Sequence, residues 1–176
     1  FLIYKMTIIK DIINQNKRLS KIAEVIAELS HKTKTPSFLV GGCVRDLMLD
    51  PEKKSIDIDI MVEGDGIQFA QQLAKKLNVR KVVPFPKFAT AKIPYKECEI
   101  EVASARLEIY DKSSRSPSSV TLADIKDDLM RRDFRVNAMA ISLNKNNYGE
   151  FIDPFKGLDD LRNKVLRTPL DPDSTF

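Results

Sequence analysis

Asp57 and Asp59 stand one residue apart within Ile56-Asp57-Ile58-Asp59-Ile60. In an extended strand, residues i and i+2 share a face. Both carboxylates therefore project together, roughly 7 Å apart along the strand, while the isoleucines occupy the other face. Two like charges side by side on so apolar a strand call for a neutraliser. Mg²⁺ fits chemically, because it takes one or two carboxylates plus substrate phosphates. The alternative is a solvated edge face, its charges paired by Lys53 and Lys54. Gly41-Gly42-Cys43-Val44-Arg45-Asp46, just upstream, favours the first reading. A Gly-Gly turn at a helix start lets backbone N–H groups approach an anion where the helix dipole is positive. Arg45, one turn further on, can clamp a phosphate bidentately. No G-x-x-x-x-G-K-[ST] loop accompanies it. The combination predicts a metal-dependent phosphoryl-transfer site.

Two further clusters bear on that chemistry. A third carboxylate is expected from another strand, and Glu101 in Ile100-Glu101-Val102 supplies one. Glu97, Glu99 and Glu101 fit a solvated strand face equally well. Arg106 could pair Glu101 or contact a phosphate. Arg131-Arg132-Asp133-Phe134-Arg135-Val136-Asn137-Ala138 reads alone as a basic helix end followed by a turn. Beside a phosphate-binding loop, its arginine and Asp-x-x-x-Asn set suit a triphosphate and a ribose hydroxyl.

These groups need a scaffold, and the pattern of apolar residues supplies one. Residues 12–29 carry apolar positions three or four apart and predict an amphipathic helix. Residues 38–40 predict a buried strand ending at the Gly-Gly turn, followed by a helix over 44–49 and a strand over 56–62. A helix is expected over 67–77, with Lys75, Lys76, Arg80 and Lys81 favourably near its end. Three more strands are expected over 79–83, 88–93 and 97–104. Residues 111–119, rich in serine, read as a mobile loop. Thr121 to Asp124 resembles a capping box opening a helix to about 132. Residues 137–143 form a compact apolar stretch, and 158–163 a short helix. Strands interleave with helices without strict βαβ alternation, so the class is α+β with a mixed sheet.

Composition bounds the rest. With 176 residues, 43% apolar and 31% charged, the chain can fill one domain's core. A net charge of +4 permits nucleic-acid binding without requiring it. Cys43 and Cys98 have no Cys or His neighbours, and His31 is the only histidine, placed in an expected loop. Zinc sites and Ser-His or Cys-His catalysis are excluded on that basis. Two cysteines fit a reduced, cytoplasmic compartment. No apolar run approaches the ~18–20 residues of a membrane span. The stretch from Phe1 to Met6 lacks a signal-peptide cleavage site, and Met6 is a possible natural start.

Taken together, the motifs resemble the catalytic head of class II tRNA nucleotidyltransferases (CCA-adding enzymes) and bacterial poly(A) polymerases, within the DNA polymerase beta-like nucleotidyltransferases. The resembling stretches are collinear: Leu39 to Asp46, Ile56 to Asp65, Phe88-Ala89-Thr90-Ala91, Ile100 to Tyr110, Arg131 to Ala138, and Ile152 to Leu161 running into Leu166-Arg167-Thr168-Pro169. The resemblance implies a mixed, mostly antiparallel sheet of about five strands flanked by helices. It implies an N-terminal helical extension over 1–36, a head over 37–150 and a head–neck junction over 151–176.

The resemblance also implies roles. Asp57 and Asp59 match metal-binding aspartates for Mg²⁺, and Glu101 the third carboxylate. Gly41, Gly42 and Arg45 match the nucleotide-phosphate loop, and Arg132 the arginine that touches the incoming nucleotide. Asp133 and Asn137 match residues that distinguish ribose from deoxyribose. The implied reaction joins CMP or AMP, from CTP or ATP, to the 3′ end of tRNA. A poly(A) polymerase acting on other RNA, a CC- or A-adding specialist, and a nucleotide- or RNA-binding module without catalysis remain open. Arg135 stands where the family usually has Thr or Ser, beside the pocket or facing solvent. An acidic-acidic-Pro-Leu-Arg segment that templates the incoming base would be expected beyond Phe176, with neck, body and tail helices after it.

Overall fold

Asn16 divides the expected first helix in two. The computed structural model describes residues 2–53, 57–110 and 117–175, with side chains at 9–53, 57–105 and 123–173. In it α1 (Leu2–Gln15) ends at Asn16, whose side chain accepts a hydrogen bond from the Leu19 N–H at 3.1 Å and caps α2 (Lys17–Thr33). An Asn N-cap of this kind contributes about 1 kcal/mol. His31 lies in the last turn of α2 and not in a loop. The stripe Leu19, Ile22, Ala23, Ile26 and Leu29 is buried.

The chain then forms β1 (Ser37–Val40), α3 (Gly41–Leu49), β2 (Ile58–Val62), α4 (Gly66–Lys76), β3 (Val83–Phe85), β4 (Thr90–Tyr95) and β5 (Cys98–Ser104). It continues through β6 (Arg106–Tyr110), β7 (Pro117–Leu122), α5 (Ile125–Met130), β8 (Ala140–Ser142), β9 (Phe151–Ile152), α6 (Gly157–Asn163) and α7 (Pro172–Thr175). The main sheet has seven strands in the order β3-β4-β5-β2-β1-β8-β9, and β6 and β7 form a separate ribbon. Among the described pairings only β2 with β5 is parallel.

The sheet is therefore mixed and mostly antiparallel, and larger than the expected five strands. The additions are β8 and β9, runs of three and two residues, too short for periodicity to reveal. The strand expected over 79–83 forms later, at Val83–Phe85, because α4 ends through Asn78 at φ +56°. Pro84 is tolerated there because β3 is an edge strand. The capping box lies three residues further on than expected, at Asp124 and Asp127. Thr121 pairs with Leu107 in the ribbon instead. Of the expected loop over 111–119, residues 111–116 lie outside the described residues, as do Ile56 and Lys54, and 117–119 open β7.

The two faces of the sheet are covered differently. Leu39, Ile58, Ile60, Val62, Ile93, Ile100 and Val102 join α2, α3 and α4 in the larger core. The opposite face buries Phe38, Val40 and Met61 against Ile125 and Leu129 of α5. Asp59 alternates with the isoleucines and shares the face of Met61. It therefore lies on the α5 side of the sheet.

Candidate nucleotidyl-transfer site

The parallel pairing of β2 with β5 sets Asp59 directly beside Glu101. Asp57 lies just before β2 and is exposed, its Oδ1 accepting the Glu99 N–H at 3.3 Å. Among the described residues neither Asp57 nor Asp59 has an ion-pair partner. Lys53 instead meets Asp46, Nζ to Oδ2, at 2.7 Å. Burial pushes the Asp59 carboxyl from the ordinary 3.8 up to about 6, and the Glu101 and Asp57 charges add to the rise. The Arg132 charge and a hydrogen bond from the Cys43 backbone oppose it.

Gly41 and Gly42 let this cluster form. Gly41 has φ +67°, the left-handed region that glycine enters without strain. A Cβ on Gly41 would stand 2.7 Å from Arg132 Nη1 and 3.7 Å from Asp59 Oδ2. A Cβ on Gly42 would stand 3.5 Å from Arg45 Nη2. The turn thus packs bare backbone against one carboxylate and two guanidinium groups at the start of α3.

Each nearby cation is held by acids or amides. Arg45 donates Nε and Nη2 to Asp46 Oδ1, at 2.9 and 2.8 Å, and Nη1 to Asn137 Oδ1 at 2.8 Å. Asn137 Nδ2 in turn donates to Asp133 Oδ1 at 3.2 Å. One chain of bonds therefore joins the sequence-identified Arg45, Asn137 and Asp133. Partial burial of Asp46 works against ionisation, but hydrogen bonds from Lys53 and Arg45 outweigh it and hold its carboxyl below 3.8. Arg132 donates Nε and Nη2 to Asp128 Oδ2 at 3.1 and 2.8 Å. Arg131 Nη2 reaches Asp128 Oδ1 at 2.5 Å. Lys92 bridges Glu99 at 2.6 Å and Glu101 at 3.5 Å.

Asp128, 1% exposed, was not singled out from sequence. Its spacing four residues before Arg132 was the available signal. The Arg106 side chain lies outside the described residues. Arg135 is half-buried and is not among the residues that line the cavity beside Asp59 and Glu101. Its Nε donates to the Thr168 carbonyl at 2.9 Å and its N–H to the Arg167 carbonyl at 2.8 Å, tying the turn after α5 to the segment after α6.

Asp59 and Glu101 line a cavity of about 360 Å³ with Arg131, Arg132, Thr90 and Phe88. Residues 37–167 match the family described as the poly A polymerase head domain. The chain belongs to that family. Poly A polymerase head domains are therefore the frame for comparison. The chain is 46% identical over 131 residues to the A-adding tRNA nucleotidyltransferase of Aquifex aeolicus (strain VF5), covering 74% of this chain and 15% of that protein. The apo form II structure of a CCA-adding enzyme superposes with a TM-score of 0.80 at 36% identity, covering 92% of this chain and 38% of that one. A tRNA nucleotidyltransferase in complex with a primer tRNA and an incoming ATP analog gives 0.70 at 39% identity, covering 82% and 39%. The chain thus spans well under half the length of these relatives. Nucleotidyltransferases of this family are metal-dependent.

The donors suit a hard cation. Among the described residues no three His, Cys, Asp or Glu side chains close a metal cage. The arrangement is instead an open pair of oxygen donors, Asp57 and Asp59, with Glu101 alongside. Burial pushes the Cys43 thiol up to about 12, with the Asp59 charge adding. Both cysteines are free and buried. Among the described residues no helix is long and apolar enough to cross a membrane.

Proposed function

We propose that this chain is the nucleotidyl-transfer head of a cytoplasmic tRNA nucleotidyltransferase. It would join AMP or CMP, from ATP or CTP, to the 3′ end of tRNA. The observation that carries the reading is a half-buried Asp59, without an ion-pair partner among the described residues, set among Glu101, the bare Gly41-Gly42 backbone and Arg132. In this reading residues 37–150 form the head, 1–36 a helical extension and 151–176 the junction toward a neck.

Asp57 and Asp59 would hold Mg²⁺, with Glu101 beside them. A bound Mg²⁺ lowers the pKa of the attacking hydroxyl and neutralises triphosphate charge. The chain's own groups do the positioning. Gly41 and Gly42 bring N–H groups at the start of α3 to the phosphates, where the helix dipole favours anions. Arg45, fixed by Asp46 and Asn137, and Arg132, fixed by Asp128, meet the triphosphate without reorganising, which is where fixed charges act most strongly. Asp133 and Asn137 offer polar atoms to a ribose hydroxyl. The lone His31 has no part, because positioning and electrostatics carry phosphoryl transfer.

The test is incorporation of labelled ATP and CTP, separately, onto tRNAs ending before CCA, after C and after CC, with Mg²⁺. The A-adding relative makes AMP transfer to the CC end the first expectation. Asp57→Asn and Asp59→Asn should each abolish it. No transfer, together with no Mg²⁺-dependent nucleotide binding, overturns the reading. The family's description supports one rival, a poly(A) polymerase. A-tracts added to unrelated RNA would establish that instead.

A further inference from the structure

Phe88 is 58% exposed, yet it lines the cavity that holds Asp59 and Glu101. Scattered exposed aromatics need no explanation; an aromatic face beside a carboxylate cluster does. Its backbone is fixed. Phe88 closes the single 3-10 turn Pro86–Phe88, with Pro86 at its start. Ala89 follows at φ +49°, its N–H bonded to the Pro86 carbonyl at 3.1 Å and its carbonyl to the Ser104 N–H at 3.0 Å. Phe85 pairs with Thr90 across the turn. Phe85 is itself 37% exposed, and Lys87 between them is exposed. Exposed aromatics interleaved with a cation are the composition of a single-strand stacking platform.

The strand order decides which base it would meet. The Gly-Gly turn and Arg45 lie at the end of β1, on one side of Asp59, and Phe88 precedes β4, beyond β5, on the other. In-line displacement puts the leaving and attacking oxygens on opposite sides of the α-phosphorus. With the triphosphate on the β1 side, the attacking 3′-hydroxyl arrives from the β4 side. We propose that Phe88 stacks on the 3′-terminal base of the acceptor RNA and so positions its hydroxyl. This rests on the nucleotidyl-transfer reading above.

The chain contains no tryptophan, so Phe88→Trp introduces a single tryptophan, excited selectively above the tyrosine band. The probes are a short RNA ending in CC, the same RNA with an abasic 3′ terminus, and Mg–ATP alone. Quenching by the intact RNA, with little by the abasic RNA or by Mg–ATP, is expected. Phe88→Ala should weaken binding of the intact RNA about ten- to a hundredfold, Phe88→Tyr should restore it, and Mg–ATP affinity should stay level in both. Quenching by Mg–ATP alone would assign Phe88 to the incoming nucleotide and overturn the proposal. Equal quenching by intact and abasic RNA would overturn it as well, as would silence toward an RNA that the wild-type chain extends. If the wild-type chain neither binds Mg–ATP nor extends RNA, the nucleotidyl-transfer reading fails first and the proposal with it.

Discussion

Asp59→Asn should stabilise the metal-free protein at neutral pH while abolishing transfer. The carboxyl is raised from 3.8 to about 6, mainly by burial. The folded state therefore binds this proton more tightly than the unfolded chain does. The stability that the group contributes is complete below pH 3.8, declines as pH rises toward 6, and is lost above it. A rise of about two units at 1.36 kcal/mol each is a cost of about 3 kcal/mol at pH 7.5. Asparagine removes the charge and keeps an oxygen for the Cys43 backbone, so most of that cost should be recovered. For a chain of this length the gain is roughly 6–12 °C in Tm.

The assay is urea unfolding of wild type and variant from pH 4 to 8 without divalent cations. Groups remote from the cluster titrate alike in both proteins, so the difference reads Asp59 together with the Glu101 and Asp57 charges coupled to it. It should be near zero at pH 4 and reach its plateau above pH 6.5. Mg²⁺ should then stabilise the wild type, by about 2.7 kcal/mol at a hundred times its Kd, and leave the variant unmoved. A variant less stable than wild type at pH 7.5, or two parallel pH profiles, would refute the reasoning.

Asp128→Asn removes the acid that orders both arginines. The arginines stay partly exposed, so the loss should be about 2–3 kcal/mol, below the usual 3–5 for a fully buried pair, with ATP affinity falling as Arg132 loosens; urea unfolding and an ATP titration read the two. Gly41→Ala forces an alanine into φ +67° with its Cβ 2.7 Å from Arg132 Nη1; strain of about 1–2 kcal/mol and weakened nucleotide binding should follow, measured in the same two assays. Arg135→Thr gives up the bond to the Thr168 carbonyl, so thermal unfolding should show a loss of about 1–2 kcal/mol while ATP affinity, followed by calorimetry, holds.

The legible parts of this chain were those with a local cause. Asp57, Asp59 and the Gly-Gly turn were visible because alternation and glycine geometry are properties of neighbouring residues. Glu101 was visible only as one of three acids on a strand. Its partnership with Asp59 depends on a parallel pairing across an intervening helix and two strands, which no local pattern encodes. Asp128 was hidden for a related reason: an acid beside Asp127 in a capped helix reads as surface charge until Leu129 and Ile125 are seen burying that turn. The tie made by Arg135 was not legible because its partner, Thr168, lies 33 residues away. The short strands β8 and β9 escaped because two or three residues hold no period.

Charge is allocated unevenly around the cavity. Arg45, Arg131, Arg132, Lys53 and Lys92 each have an acid at ion-pair distance, whereas Asp57 and Asp59, among the described residues, have none. The cations are thus fixed in place before any substrate arrives, with part of their charge already neutralised. The centre between them keeps a negative excess that a triphosphate alone would only increase. Nucleotide should therefore bind weakly to the free protein and strongly once a divalent cation has reversed the sign at Asp57 and Asp59. ATP affinity measured by calorimetry with and without Mg²⁺ should differ by at least tenfold, or about 1.4 kcal/mol. That gap should vanish in Asp59→Asn, in which ATP binds equally with or without the metal. A gap that persisted in the variant would mean that the metal enters with the nucleotide and owes nothing to this carboxylate.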